Sequence, residues 1–522
     1  MERTERRTLF ALAAVTVVLR FLAYFRYRFD SDEPQHLHVA WGWTKGLVQY
    51  RDLFDNHAPL FHMLSAPLLR LAGERDDILR VMRAPMVPLF LIVVLATWMI
   101  AQRWWSERIA AWSVILLCTF APFFLKSLEY RTDNLWTAVW MIALVTLVIW
   151  ERPFLAGVIL GIALCVSLKT MLFVISLGAA AIVTAFVRDE RVDIRKALRI
   201  AAGFVIAPAV ICAYFASIGA WPNLVFCVIR FNELVTRTRA ETLIPRMLYP
   251  FMLAFVIWRA RDIARTHDTP RPRFFLGVCA AMFTITLVGF WLLISPRDFL
   301  PVMPLFAIAL TTTIIRRAPR ASFAILTTLA VLFLGFTAYY AEWFRDRQLE
   351  ETTMIHQVLA LSRPGEPLMD YKGETIYRRR PYYFIFEKIG RGALSSGALS
   401  DTVAEAVVRE KCHVAQADGA FWPPHARTFL SENFLDMGRL RAAGQWIHID
   451  GSFSIAIEGV YAIVDKDGNA TGTLDGMPYT GPRPLAIGSH YFVSDRGERL
   501  AVLWAPAFER GFSPFHLKDR EF

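Results

Sequence analysis

Between Leu9 and Ala341 the chain is a succession of apolar runs separated by short basic loops, and no other feature constrains its fold as strongly. Crossing about 30 Å of hydrocarbon takes an α-helix of about 20 predominantly apolar residues. At that scale the runs fall near 9–28, 84–101, 109–125, 134–150, 154–168, 170–187, 200–219, 246–258, 274–294, 301–315 and 321–341. Composition agrees, with 55% of residues hydrophobic and only 20% charged. A soluble domain of this length needs more charge to cover its surface, so the excess apolar side chains must face lipid. The expectation is an α-helical polytopic membrane protein with about 11 transmembrane helices.

The formal net charge of +11 would suit nucleic acid if the basic residues formed one water-exposed patch. Instead they lie in short clusters between the runs, as in cytoplasmic loops, and nucleic acid is not an expected partner. With the N-terminus in the cytoplasm, the clusters Arg103–Arg108, Arg188–Arg199, Arg259–Arg273 and Arg316–Arg320 all fall inside. An error of one helix would put alternate clusters outside. The reading is therefore a multi-pass protein of the cell (inner) membrane with an external, periplasmic C-terminal domain. Arg3, Arg6 and Arg7 before the apolar stretch Leu9–Leu22 make a signal-like start. No small-residue cleavage site follows, which predicts an uncleaved first helix. The six cysteines have no CxxC or zinc-like spacing, and four of them lie within apolar runs as small hydrophobes.

Two long external segments follow from this topology. In the first, about Asp30 to Arg83, the stretch Pro34–Val48 places Leu37, Trp41 and Val48 on one helical face. Pro59–Leu71 is strongly apolar but too short to span. Both predict helices lying in the outer membrane interface. The second segment is everything after Tyr340, which divides the chain into a membrane domain, 1–341, and an external domain, 342–522. Glu351–Leu361 and Thr402–Val408 predict helices. Alternation in Phe453–Ile457, Val460–Val464 and Arg499–Leu503 predicts strands, with turn chemistry at Asp467-Gly468-Asn469 and Asp475-Gly476. The expectation is a small α/β segment followed by an antiparallel, β-sandwich-like end.

Four external turns carry chemistry. Asp30-Ser31-Asp32-Glu33-Pro34-Gln35-His36 puts adjacent acids just past the first membrane helix, where a base or a metal ligand would meet a lipid-borne substrate. The same acids also suit the start of a helix with Pro34 in its first turn. Glu129-Tyr130-Arg131-Thr132-Asp133-Asn134 places Asp133 where it would equally cap the fourth helix. Lys169 lies between two apolar runs, a functional position unless its stem snorkels to the interface. Arg297 and Asp298 lie in Ser295-Pro296-Arg297-Asp298-Phe299-Leu300-Pro301-Val302-Met303-Pro304.

Taken in order, these features resemble the C-type glycosyltransferase superfamily, in particular the bacterial branch related to protein O-mannosyltransferases and lipid A aminoarabinose transferases. The resemblance rests on the acidic pair after the first helix and on Tyr50-Arg51-Asp52-Leu53-Phe54-Asp55-Asn56-His57-Ala58-Pro59-Leu60. It rests further on an Asp in the second external loop, Leu168-Lys169-Thr170, and the Arg-x-x-Leu-Pro-x-x-Pro stretch from Arg297, and it covers about residues 1–341. It implies transfer of a sugar from a polyprenyl-phosphate carrier to a lipid, glycan or protein acceptor on the external face. Asp32, Glu33 and Asp133 would then be the catalytic acids, and His57, Arg131, Lys169 and Arg297 substrate-binding residues. At Asn56-His57-Ala58-Pro59 the chain departs from the Lys-Pro-Pro or His-Pro-Pro of many relatives, leaving the role of His57 open.

Chemistry agrees with that expectation. A phosphate carrier is already an activated leaving group, so catalysis needs a carboxylate near the acceptor hydroxyl and cations near the departing phosphate. No cofactor is required, although a divalent cation on Asp32, Glu33 or Asp133 fits hard oxygen ligands. The rival class is a multi-helix transporter or flippase of an envelope precursor. It explains the helices but not the external domain, and no inverted repeat supports it.

Overall fold

The computed structural model describes residues 1–234, 247, 250–258, 260–261, 270–291, 293–342, 344–417, 421–495 and 499–516. Its first part is helical throughout: α1 (Arg3–Arg26), α2 (Glu33–Thr44), α3 (Leu60–Ala72), α4 (Ile78–Arg83), α5 (Met86–Trp104), α6 (Glu107–Thr119), α7 (Ala121–Lys126) and α8 (Thr132–Val148). There follow α9 (Pro153–Val166), α10 (Thr170–Val187), α11 (Ile194–Phe204), α12 (Ile206–Ser217), α13 (Arg271–Phe290), α14 (Met303–Arg317) and α15 (Ser322–Ala341). Six helical segments among the described residues are long and apolar enough to cross a membrane, and α8 and α9 are shorter apolar helices. The predicted run 246–258 lies partly outside the described residues.

The basic loops gather at one end of the bundle. Arg108 Nε lies 2.7 Å from Glu5 Oε1, its Nη2 donates to Ser322 Oγ at 3.0 Å, and Arg271 pairs with Glu190 at 3.1 Å. Close approach between helices is built from small residues, as it must be where lipid supplies no hydrophobic driving force. A Cβ on Gly157 would lie 2.1 Å from the Ile200 carbonyl oxygen, and one on Gly203 2.2 Å from that of Phe154, so only glycine lets α9 and α11 touch.

Elsewhere aromatic rings set the spacing. Trp140 stacks on Phe173 with centroids 3.8 Å apart, and Trp136 donates to Thr170 Oγ1 at 2.9 Å. The start of α10 is thereby clamped to the first turns of α8, which decides where Asp133 and Lys169 meet.

The two helices predicted for the membrane interface behave differently. α3 keeps an exposed apolar face of Leu64, Leu68 and Leu71. α2 is buried from Glu33 to Gly42, because the C-terminal part closes over it. His38 Nδ1 meets the Ile376 carbonyl at 2.8 Å, and Gly373, at φ +97°, fits where any Cβ would strike the His38 ring.

Beyond α15, helices form at Leu349–Leu361 and Val403–Arg409, and strands at Ser452–Ile455, Gly459–Asp465 and Ala501–Trp504. Asp475 and Gly476 both take positive φ in a tight turn joining Gly472–Leu474 to Met477–Tyr479. The α/β segment and the antiparallel end are not successive layers. The parallel pair Leu368–Met369 and Val414–Gln416 continues through Leu440–Trp446 into one eight-stranded sheet, which has a four-stranded antiparallel sheet beside it.

Candidate active site

The predicted site residues lie at or next to helix starts. Asp32 is the N-cap of α2, Arg131 that of α8 and Lys169 that of α10, while Asp133 is in the first turn of α8. Arg297 sits in a short 3-10 turn closed by a Ser295–Asp298 capping box, and His57 precedes α3. A helix start exposes unpaired N–H groups and a partial positive charge, so these turns gather donors in one place.

Asp32, His57, Arg131, Asp133, Lys169 and Arg297 line one cavity of about 450 Å³ at the end of the bundle away from the basic loops. The remaining wall joins an apolar portion, with Val166, Leu168, Val228, Ile229, Trp291 and Leu293, to polar side chains such as Asn232 and Glu233.

Glu33 is the exception. Its carboxylate turns inward to Arg83 (2.5 and 2.9 Å) and accepts from the backbone N–H of Asp30 at 2.7 Å and Tyr130 at 2.8 Å. Both side chains of this ion pair are fully buried. Glu33 ties α2, α4 and the loop before α8 together and does not line the cavity.

Charge within the cavity is closely compensated. Arg131 Nη1 reaches Asp30 at 2.5 Å and also Asp32, and its Nε reaches Asp133 at 3.2 Å. Lys169 Nζ bridges Asp133, at 3.0 Å, and Asp298. Lys126 pairs with Glu129 at 2.6 Å. Burial pushes the Asp32 carboxyl upward, yet Arg131 and Lys372 beside it hold it well below the usual carboxylate range. Asp32 is thus a firm anion and a poor proton acceptor.

Arg297 is held most loosely. Its Nη1 is 3.2 Å from Asp30 and 3.5 Å from Asp32, and its buried Nε has no hydrogen-bond partner. Among these cations it alone keeps a buried nitrogen unpaired.

Two participants lie outside the resemblance. Lys372, from the C-terminal part, donates to Asp32 Oδ1 at 2.7 Å and to Ser31 Oγ at 3.1 Å. Glu387 lines the cavity and accepts from Asn56 Nδ2 at 2.7 Å. Neither lies in a motif, so nothing local in the sequence marks them. Asp55 and Asp298 lie inside the quoted motif stretches, where their acidity was a usable signal. No cluster of three or more His, Cys, Asp or Glu side chains arranged to hold a metal occurs among the described residues.

No protein-family model matches the chain, and no curated protein matches it in sequence. Its fold is nevertheless similar to that of a solved membrane protein. The crystal structure of ArnT from Cupriavidus metallidurans bound to undecaprenyl phosphate superposes with a TM-score of 0.58 at 15% identity, covering 83% of this chain and 97% of that one. The apo form of the same protein gives 0.56 at 15% identity. Archaeal oligosaccharyltransferase AglB from Archaeoglobus fulgidus, in complex with an inhibitory peptide and a dolichol-phosphate, aligns with a TM-score of 0.46 at 10% identity, over 95% of this chain and 76% of that one.

Proposed function

We propose that this protein is a membrane glycosyltransferase that moves a monosaccharide from a polyprenyl-phosphate carrier to a lipid, glycan or protein acceptor on the external face. The observation that carries the reading is one cavity joining Arg131, Lys169 and Arg297 to an apolar wall. An anionic phosphate on an isoprenoid tail matches both halves, since the cations need an anion at membrane depth and the tail needs lipid.

In this reading Arg297, the most loosely paired cation of the cavity, makes the first contact with the phosphate. Lys169 and Arg131, fixed by their aspartates, favour charge as it develops on the leaving oxygen. Asp32 orients the acceptor, and Asp133 positions Lys169. A second cavity of about 640 Å³, bounded by Asp30, Ser31 and Pro34 and by Glu351, Tyr371, Glu374 and Phe421, lies against the residues just before Asp32.

Purified protein in nanodiscs should transfer sugar from one of a panel of undecaprenyl-phosphate hexoses and pentoses, and Asp32→Asn should lower turnover by about a hundredfold. No transfer by wild type from any of them, together with solute uptake by vesicles, would replace the enzyme with a transporter. Orientation is tested separately. A reporter active only outside the membrane, fused after Phe522, should be active.

A further inference from the structure

We infer that His57, oriented by Asp55, is the group that takes the proton from the acceptor hydroxyl, while Asp32 only positions that acceptor. The inference rests on the glycosyltransferase reading above. Its geometry is that of a dyad. His57 Nδ1 lies 2.8 Å from Asp55 Oδ1, and the His57 backbone N–H donates to the same oxygen at 3.3 Å. Asp55 is itself immobilised: fully buried, it accepts from Gln49 Nε2 at 2.6 Å and lies 3.4 Å from His62 Nδ1. Gln49 is held in turn by the Trp43 indole N–H at 2.8 Å, and the Tyr50 hydroxyl donates to the His57 carbonyl at 2.7 Å.

A carboxylate on Nδ1 selects the tautomer that carries its proton there, leaving a lone pair on Nε2. Nε2 has no hydrogen bond among the described residues, and the ring, 26% exposed, borders the cavity. Most other carboxylates of the cavity are engaged: Asp32, Asp133 and Asp298 are tied to cations and Glu387 accepts from Asn56, while Glu233 lines the wall with no ion pair among the described residues.

The groups facing His57 are Asp55 and His62 from its own loop and α3, His36 and Asp32 from α2, and Glu387 from the C-terminal part. Burial alone would lower the His57 pKa, but Asp55, with Glu387 and Asp32 behind it, raises it above the ordinary histidine value. That suits a base working near neutral pH.

The step balances. The acceptor oxygen bonds to the anomeric carbon as its proton passes to His57 Nε2. The bond from the anomeric carbon to the phosphate oxygen breaks, and its electron pair leaves with the polyprenyl phosphate. The imidazolium then returns the proton to that phosphate or to water, and the neutral ring is regenerated.

Diethyl pyrocarbonate reacts with neutral imidazole, so carbethoxylation of His57 in the full-length protein, followed by mass spectrometry, reads its titration without any substrate. The expected midpoint lies above about 6.5. Asp55→Asn should move it downward, and undecaprenyl phosphate should protect the ring. His57→Gln should still bind undecaprenyl phosphate and keep its KM while kcat falls by about a hundredfold or more. A midpoint that Asp55→Asn leaves unchanged overturns the dyad. Wild-type transfer with an equally active His57→Gln overturns the inference and leaves the transferase standing, whereas absence of transfer by wild type overturns both.

Discussion

Lys372 Nζ sits 2.7 Å from Asp32 Oδ1, although 340 residues separate the two along the chain. One arrives from the C-terminal part and the other stands at the N-cap position of the helix that follows the first membrane span. The pair, together with the Asn56–Glu387 hydrogen bond, makes the C-terminal part a structural component of the cavity rather than an appendage.

Lys372→Met removes the charge and keeps the apolar stem. Asp32 then loses one of its two closest cationic partners and its fixed position. Transfer should fall by about ten- to a hundredfold, the usual consequence of displacing a positioned group by about 1 Å. Steady-state kinetics of purified protein checks this, and an unchanged kcat would detach the C-terminal part from catalysis.

Arg297 and Lys169 are expected to differ in kind. Arg297→Met deletes the most loosely paired cation, so binding of undecaprenyl phosphate should weaken by about tenfold or more. Lys169→Met leaves Asp133 and Asp298 without their shared cation, so it should depress turnover more than binding. Lys169→Arg should restore part of the activity, because charge counts for more than shape in a point contact. Binding isotherms beside single-turnover rates separate the two, and equal transfer by wild type and Lys169→Met would remove Lys169 from the site.

Glu33 and Arg83 bear on folding. Removing one partner leaves a buried charge uncompensated, at a cost of about 3–5 kcal/mol. Arg83→Met should therefore lower thermal stability in detergent sharply. Glu33→Gln, whose side chain does not line the cavity, should turn over within severalfold of wild type per folded molecule. A Glu33→Gln protein of wild-type stability and no activity would return Glu33 to catalysis.

Gly157→Ala tests the helix contact. The added Cβ would meet the Ile200 carbonyl oxygen at 2.1 Å, so α9 and α11 must separate. Overpacking of this kind costs about 1–3 kcal/mol. The measurement is the thermal midpoint of the purified protein, and the same change at Gly277, which has open space around it, is the matched control.

The membrane class, most of the apolar runs and the turns bearing Asp32, His57, Arg131, Asp133, Lys169 and Arg297 were legible in the sequence. Each depends on residues close along the chain: a run long enough to cross hydrocarbon, a basic loop, an acid or cation beside a helix start. Which cation meets which carboxylate was not legible, because an ion pair forms only when atoms come within about 4 Å, and packing of distant elements decides that. Asp32 and Glu33 are neighbours of the same chemistry, yet the N-cap position sends Asp32 to the cavity while the next residue turns into the bundle toward Arg83. Lys372 lies in Tyr371-Lys372-Gly373-Glu374, a loop of ordinary composition. Only the closure of the C-terminal part over α2, where Gly373 fits against His38, brings it to Asp32.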